Sequence, residues 1–345
     1  MKQWISVLLV AATYIGTVIG AGFATGKEIV TFFSKYGEIG TIGVVISCIL
    51  FILFGNKIMI IAARIEAYSY KEFNEHIFGY KLGKIVNFII FVIVISVTSV
   101  MLSGAGAVFQ EQLGIPFQVG VISTLVICYL VVLKGLKGIM AINAYIVPII
   151  ILFSLFIFIS VFDHQPDKLL GMLTFKEVPH QFLWVSSPFT YASFNIITAL
   201  VVLVPLGKEI KDENVLKWGG FFGGLGLCLM LLLGHFSLAT NPETFRFDIP
   251  MAEIIKLLGS FIHILFIIVV YGEIFNTVVA NVYGISRQLK VSLQIKYHHA
   301  VWLILAVIFC ISQFGYNQLL TTLYPFYGYL GLVFLIALLL KRKPK

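Results

Sequence analysis

Ten stretches dominated by apolar residues follow one another along the chain, separated by short gaps that hold most of the charge. They run from Trp4 to Tyr36, Thr41 to Arg64, Ile85 to Leu113, Gln118 to Leu136 and Ile139 to Phe162. After a longer polar interval come Phe182 to Leu206, Val215 to Ala239, Phe261 to Leu289, His299 to Phe314 and Leu319 to Leu340. Most approach or exceed the roughly 20 residues a helix needs to cross the hydrocarbon core, so the pattern predicts an all-α polytopic membrane protein with about ten spans. Two gaps carry helical signals of their own. Ser69-Tyr70-Lys71-Glu72 reads as a capping box, with Tyr70, Phe73 and Ile77 on one face and Gly79 as the stop. In the outer gap Asn241 to Ser260, Pro250 sits as a first-turn residue ahead of a stripe of Met251, Ile254, Ile255 and Leu258. That helix is either a cap over an external opening or a plain connector.

The interval Asp163 to Gln181 divides the spans into two sets of five. Because five is odd, the two sets enter the membrane from opposite sides, the geometry of an inverted repeat. The expected organisation is one transmembrane domain over residues 1–345, with repeats of approximately 4–162 and 182–340.

Composition agrees with this picture: 59% of the residues are hydrophobic and 12% charged, against about 25% charged in a typical soluble domain. The net charge of +8 raises the question of an acidic partner. Eighteen of the 24 Lys and Arg fall on one set of alternate loops and six on the other. That asymmetry is the positive-inside pattern, predicting both termini in the cytoplasm of a multi-pass cell-membrane protein, and it leaves no signal for nucleic acid. Cys48, Cys128, Cys228 and Cys310 all fall within spans without metal-ligand spacing and read as small hydrophobes. The opening resembles a signal peptide, with Lys2 ahead of an apolar run, but further spans follow and we expect it to be retained.

The first span of each half is the most informative. In the first half, Gly16, Gly20, Gly22 and Gly26 fall within eleven residues, each about 1 kcal/mol worse than Ala in a helix. One reading is a close-packing face, since Gly16 and Gly20, and Gly22 and Gly26, are each four apart. The sharper reading is an unwound turn at Gly20-Ala21-Gly22 near the midplane, with freed N–H groups facing an anionic ligand group and freed carbonyls facing a cation. In the second half, Ser186 to Thr198 is rich in small polar residues, with Pro188 near its start and Pro205 beyond. It reads either as a Pro-bent helix bonded within the bundle or as a second break around Ala192 to Asn195. A break would point the Ser193 hydroxyl and the Asn195 amide into the same central space.

By these boundaries one acidic residue, Glu273, lies deep within a span. It stands at i, i+3 and i+4 with Asn276 and Thr277, so a carboxylate, an amide and a hydroxyl share one face. Intramembrane carboxylates are costly and mark functional sites. These three oxygen ligands suit a hard cation, the carboxylate alone suits a proton, and a structural polar network with Lys27 as partner is the plainer alternative. His235 and His263 have no spaced metal partner and read as structural. Lys27 and Glu28 read as gate residues or as side chains reaching to the outer interface.

The run Gly16-Thr17-Val18-Ile19-Gly20-Ala21-Gly22-Phe23 resembles the first-helix signature of the amino acid-polyamine-cation superfamily, whose members share the LeuT fold. The extended string Gly20 to Ile29 is similar to the YkvI-like amino acid permeases. The resemblance implies a LeuT-type 5+5 inverted repeat with broken helices one and six. It implies a substrate carboxylate at the backbone amides near Gly20, Ala21 and Gly22, and a substrate side chain against Phe23, Ser193, Phe194 and Asn195. It also implies a cation site made by the carbonyls of Gly16 and Ile19 with Glu273, Asn276 and Thr277. Glu273 and Asn276 depart from the sodium-dependent pattern, which leaves Na+ and H+ both open as coupling ion. The lysine that some proton-coupled relatives carry in helix five has no counterpart inside Ile139 to Phe162. The expected function is a secondary active transporter of an amino acid or related small amine, without a cofactor. A receptor that binds a small ligand without moving it is the main rival, and the motifs of bilayer-embedded enzymes are absent from the sequence.

Overall fold

The computed structural model describes residues 2–171, 182–247, 249–256, 259–313 and 316–341. The chain is almost wholly helical. Seven helices are long and apolar enough to cross a membrane, and Gln3–Val18, Phe117–Val132 and Tyr297–Ser312 are shorter apolar helices that complete the expected ten. Five of the ten precede residues 172–181 and five follow. We refer to them as spans one to ten.

Span one is Lys2–Val18, a four-residue piece Ala21–Ala24, and Lys27–Phe32, leading through a tight turn at Ser34–Tyr36 into span two, Ile39–Arg64. The short helix that opens at Tyr70 and span three are continuous in hydrogen bonding over Tyr70–Ala107, with a sharp bend where Gly79 adopts φ 78°. Tyr70, Phe73 and Ile77 of the short arm are buried against the bundle, as their shared face predicted. The capping box is only half formed: the Glu72 carboxylate accepts from the Tyr68 N–H, while the Ser69 hydroxyl makes no cap. Span five is Leu136–His164, span six Leu183–Glu209, span seven Glu213–Ala239, span eight Ser260–Leu293 and span ten Tyr316–Leu340.

The core sits around span six. Its apolar stretch is 94% buried, whereas that of span five, Leu136–Asp163, is 22% buried and turns mostly outward. Spans two and ten pack along span six, and span one packs against spans seven, five and eight. All four cysteines carry free thiols, with Cys48 of span two beside Cys228 of span seven.

One sequence expectation fails here. Span six has no break around Ala192 to Asn195; it is helical from Leu183 to Glu209. The reason is visible in its side chains, which bond to their own helix. Thr190 Oγ1 donates to the carbonyl of Ser187 at 2.9 Å, Asn195 Nδ2 to Tyr191 at 3.0 Å and Thr198 Oγ1 to Asn195 at 3.0 Å. Small polar residues can satisfy themselves on the preceding turn, so polar density alone does not unwind a helix. Pro188, the sixth residue, and Pro205 each remove one N–H from the ladder, yet the helix runs through both.

Candidate functional site

Span one supplies the site because its backbone comes apart inside the bundle. The regular helix ends at Val18, and Ile19 and Gly20 separate it from Ala21–Ala24. A second interruption follows at Thr25 and Gly26, with Gly26 at φ +82°, a conformation only glycine adopts readily. Polar backbone freed at membrane depth must find partners or line a cavity.

Some of those partners come from span eight. Asn276 Nδ2 donates to the Gly16 carbonyl at 2.5 Å, and Thr277 Oγ1 lies 3.2 Å from the Ile19 carbonyl. The structure therefore brings together Gly16, Ile19, Asn276 and Thr277, with Glu273 fully buried one turn away on the same face of span eight. A residue the sequence reading passed over joins them. Asn143 of span five is buried so close to Gly16 that a Cβ there would stand 1.9 Å from its Oδ1. Neither polar atom of Asn143, neither carboxylate oxygen of Glu273 nor Oδ1 of Asn276 has a hydrogen-bond partner. These are oxygen donors of the type a hard cation takes, and carbonyl oxygens already accepting one bond retain a second lone pair. Asn143 was legible as the one amide in an otherwise apolar stretch of span five.

The short piece Ala21–Ala24 carries Gly22 and the buried Phe23. A Cβ on Gly22 would meet Glu28 Oε1 at 2.2 Å. Glu28, from Lys27–Phe32, folds back onto the break and is only 4% exposed, which makes it a second buried carboxylate beside Glu273 and corrects its placement as an interfacial side chain. Lys27 turns the other way: its ammonium donates to the carbonyls of Phe245 and Phe247 at 3.3 and 2.8 Å. It is therefore a strap to the outer loop and not the partner of Glu273. The outer-loop helix Pro250–Lys256 is fastened to the same place, because the Met251 N–H donates to the Thr25 carbonyl at 3.1 Å and Met251 packs on Gly26. Met251, Ile254 and Ile255 of its apolar stripe are buried; Leu258 lies outside the described residues. This helix sits directly on the interrupted span.

Of the span-six residues, the structure turns two away from the break. Ser193 Oγ donates to the Gly328 carbonyl of span ten at 2.6 Å, and Phe194 stacks on Tyr324 of the same span with centroids 4.4 Å apart. Both sit on the face that packs on span ten, where the sequence reading expected them to face the central space. Asn195 is bonded to its own helix at Tyr191, and the Tyr191 ring packs on Phe32 and Phe33 from the outer part of span one. His235, fully buried, is satisfied at both nitrogens by Ser34 Oγ at 3.0 Å and Thr41 Oγ1 at 3.1 Å, so it fixes the turn between spans one and two.

An interrupted first helix, braced by the eighth inside a ten-helix bundle, is the architecture of a LeuT-fold membrane protein. The spore permease family, described as spore germination protein, matches residues 4–319, and the chain belongs to that family. It is 40% identical to the Bacillus subtilis (strain 168) membrane protein YkvI over 97% of this chain and 96% of that one, as the string Gly20 to Ile29 suggested. Two solved structures share the fold. MhsT in complex with L-phenylalanine has a TM-score of 0.73 at 14% identity, covering 95% of this chain and 87% of that one. Mhp1, a nucleobase-cation-symport-1 family transporter with bromovinylhydantoin bound, has a TM-score of 0.69 at 13% identity, covering 92% and 74%.

Proposed function

We propose that this protein is a secondary active transporter for an amino acid or a related small amine, coupled to a proton or sodium gradient by alternating access. The observation that carries the reading is the first span, opened at Ile19–Gly20 and held by Asn276 and Thr277 of span eight. Such a joint supplies free backbone groups for a small polar cargo and lets the inner and outer pieces of one helix tilt separately. Cargo binds at Gly20, Ala21 and Gly22 with its side chain toward Phe23, and the coupling ion takes the oxygens of Gly16, Ile19, Glu273, Asn276 and Thr277, joined by Asn143. The charge asymmetry of the loops supports a cytoplasmic placement of both termini. The likeness to MhsT and Mhp1, whose structures hold an amino acid and a hydantoin, supports a small polar cargo.

Purified protein in liposomes, loaded with an imposed pH or sodium gradient and offered labelled amino acids, tests this directly. Uptake should be saturable and driven by one of the two gradients. Glu273→Gln should abolish that drive while leaving cargo binding in place; wild-type coupled uptake in the variant removes Glu273 from the mechanism.

A second reading is favoured by the unbroken span six and by the family's description as germination protein. A scaffold with one joint instead of two binds a small ligand and reports it without turnover. Liposomes distinguish the readings, because a receptor binds the ligand and accumulates none of it.

A further inference from the structure

Glu28 has no place in the scheme above, yet it is buried against Gly22, in the short helical piece that follows the open turn. Its carboxylate lies against Gly22, within electrostatic reach of Tyr191 on span six, and its Oε2 has no hydrogen-bond partner. Among the described residues the ion pairs are Arg64 with Glu213, Lys217 with Glu213, and Lys256 with Glu253, so Glu28 has no cationic side chain as partner. Lys27, its neighbour in sequence, is committed to two carbonyls of the outer loop. Removing one partner of a buried ion pair costs several kcal/mol, and a carboxylate buried without any partner escapes that cost only by holding a proton or by meeting a cation from outside.

We propose that this cation is the ammonium group of the cargo, so that the substrate class is protonated amines, for which a carboxylate is dispensable. The inference rests on the reading of the span-one break as the cargo site and adds the chemistry of recognition. Two features favour an ammonium over a metal ion at Glu28. The oxygen-dense cluster of Asn143, Glu273, Asn276, Thr277 and the Gly16 and Ile19 carbonyls is gathered elsewhere along span eight, while Glu28 offers one carboxylate against Gly22. An alkylammonium needs few directed acceptors and brings its own apolar body. An anionic cargo lacking an amine would instead set a second negative charge beside Glu28, in a low-dielectric site where like charges repel strongly.

Two matched trios test the assignment: L-leucine, 3-methylbutylamine and 4-methylpentanoate, and L-phenylalanine, 2-phenylethylamine and 3-phenylpropanoate. Each is titrated against the full-length protein in nanodiscs, with thermal stabilisation as readout. In the wild type the amino acid and the amine of at least one trio should stabilise, and the acid should not. Glu28→Gln should weaken the amine at least tenfold and let the acid, no longer repelled, stabilise as well, collapsing the selectivity; a merely structural role would weaken the amine and leave the acid without any effect. Stabilisation of the wild type by the acid equal to that by the amine, or unchanged amine affinity in Glu28→Gln, overturns the proposal while leaving the cargo site intact. If Glu28→Gln does not fold, the wild-type amine-to-acid ratio decides alone. No stabilisation by any of the six overturns the cargo-site reading and the ammonium assignment together.

Discussion

Spans one and six occupy equivalent places in the two halves, and both carry unusual residues at mid-depth, yet one comes apart and the other stays whole. Span one has its glycines inside itself, at positions 16, 20, 22 and 26, and the groups released by its interruption are met by side chains of another helix. Span six has its small partners on its neighbours. Gly328 and Gly331 of span ten approach Thr190 and Ser193, and Gly284 of span eight approaches Val201, each too closely for a Cβ. Glycine within a helix lowers the cost of breaking it, whereas glycine beside a helix lets the backbone of another come close and fixes it in place. The bundle thus pairs one jointed helix with one buried post.

The strongest way to break this comparison is to crowd the post. At Gly284 a Cβ would stand 2.1 Å from Val201 Cβ and 2.7 Å from the Val201 carbonyl oxygen, and backbone cannot swing aside. Gly284→Leu should leave no monodisperse folded protein in size-exclusion chromatography, beyond the 1–3 kcal/mol usual for overpacking. Crowding the joint should do something different. At Gly22 the obstacle is the Glu28 side chain, which can move, so Gly22→Leu should fold and lose at least a hundredfold in cargo affinity by thermal-shift titration. Undiminished affinity would reduce Gly22 to a packing residue and remove the asymmetry between the spans.

Long apolar runs and clustered glycines are local patterns, so the sequence carried the ten spans and an interruption in span one, expected at Gly20-Ala21-Gly22 and found at Ile19–Gly20 with Ala21–Ala24 helical; the meeting of Gly16 and Ile19 with Asn276 and Thr277 was implied by the family resemblance. What failed depended on where side chains point. Ser193 and Asn195 look identical to break-forming residues in the sequence, and only the presence of the Gly328 carbonyl and of the preceding turn decides that they bond there. Glu28 looked interfacial because it follows Lys27, but a left-handed Gly26 redirects the chain and turns the carboxylate back to Gly22. Asn143 stood out in the sequence as the one amide of its span, but its meaning comes from Gly16, more than a hundred positions away.

A smaller perturbation sharpens how the joint is held. Thr277→Val removes the hydroxyl shared between the Ile19 carbonyl at 3.2 Å and the Glu273 carbonyl at 3.0 Å, with little change of volume. A buried carbonyl left unpaired costs about 1–3 kcal/mol, and here the loss falls on the interrupted state of span one. The melting temperature should drop and the response to sodium or pH should weaken together. A drop without any change in ion response would make Thr277 a brace alone.

The smallest effect is expected at Ser193, where the two accounts of span six part most cleanly. If this serine bordered the cargo, Ser193→Ala would weaken binding and leave stability nearly untouched. In the structure its hydroxyl is bonded to Gly328 of span ten at 2.6 Å and to Thr190 at 3.0 Å, with no donor capacity left over. Alanine keeps the close approach of spans six and ten but strips a hydrogen bond from the Gly328 carbonyl, at a cost of about 1 kcal/mol. Thermal unfolding should therefore register the substitution while cargo titration does not. The reverse pattern would put Ser193 back at the site and require span six to open in a state other than this one.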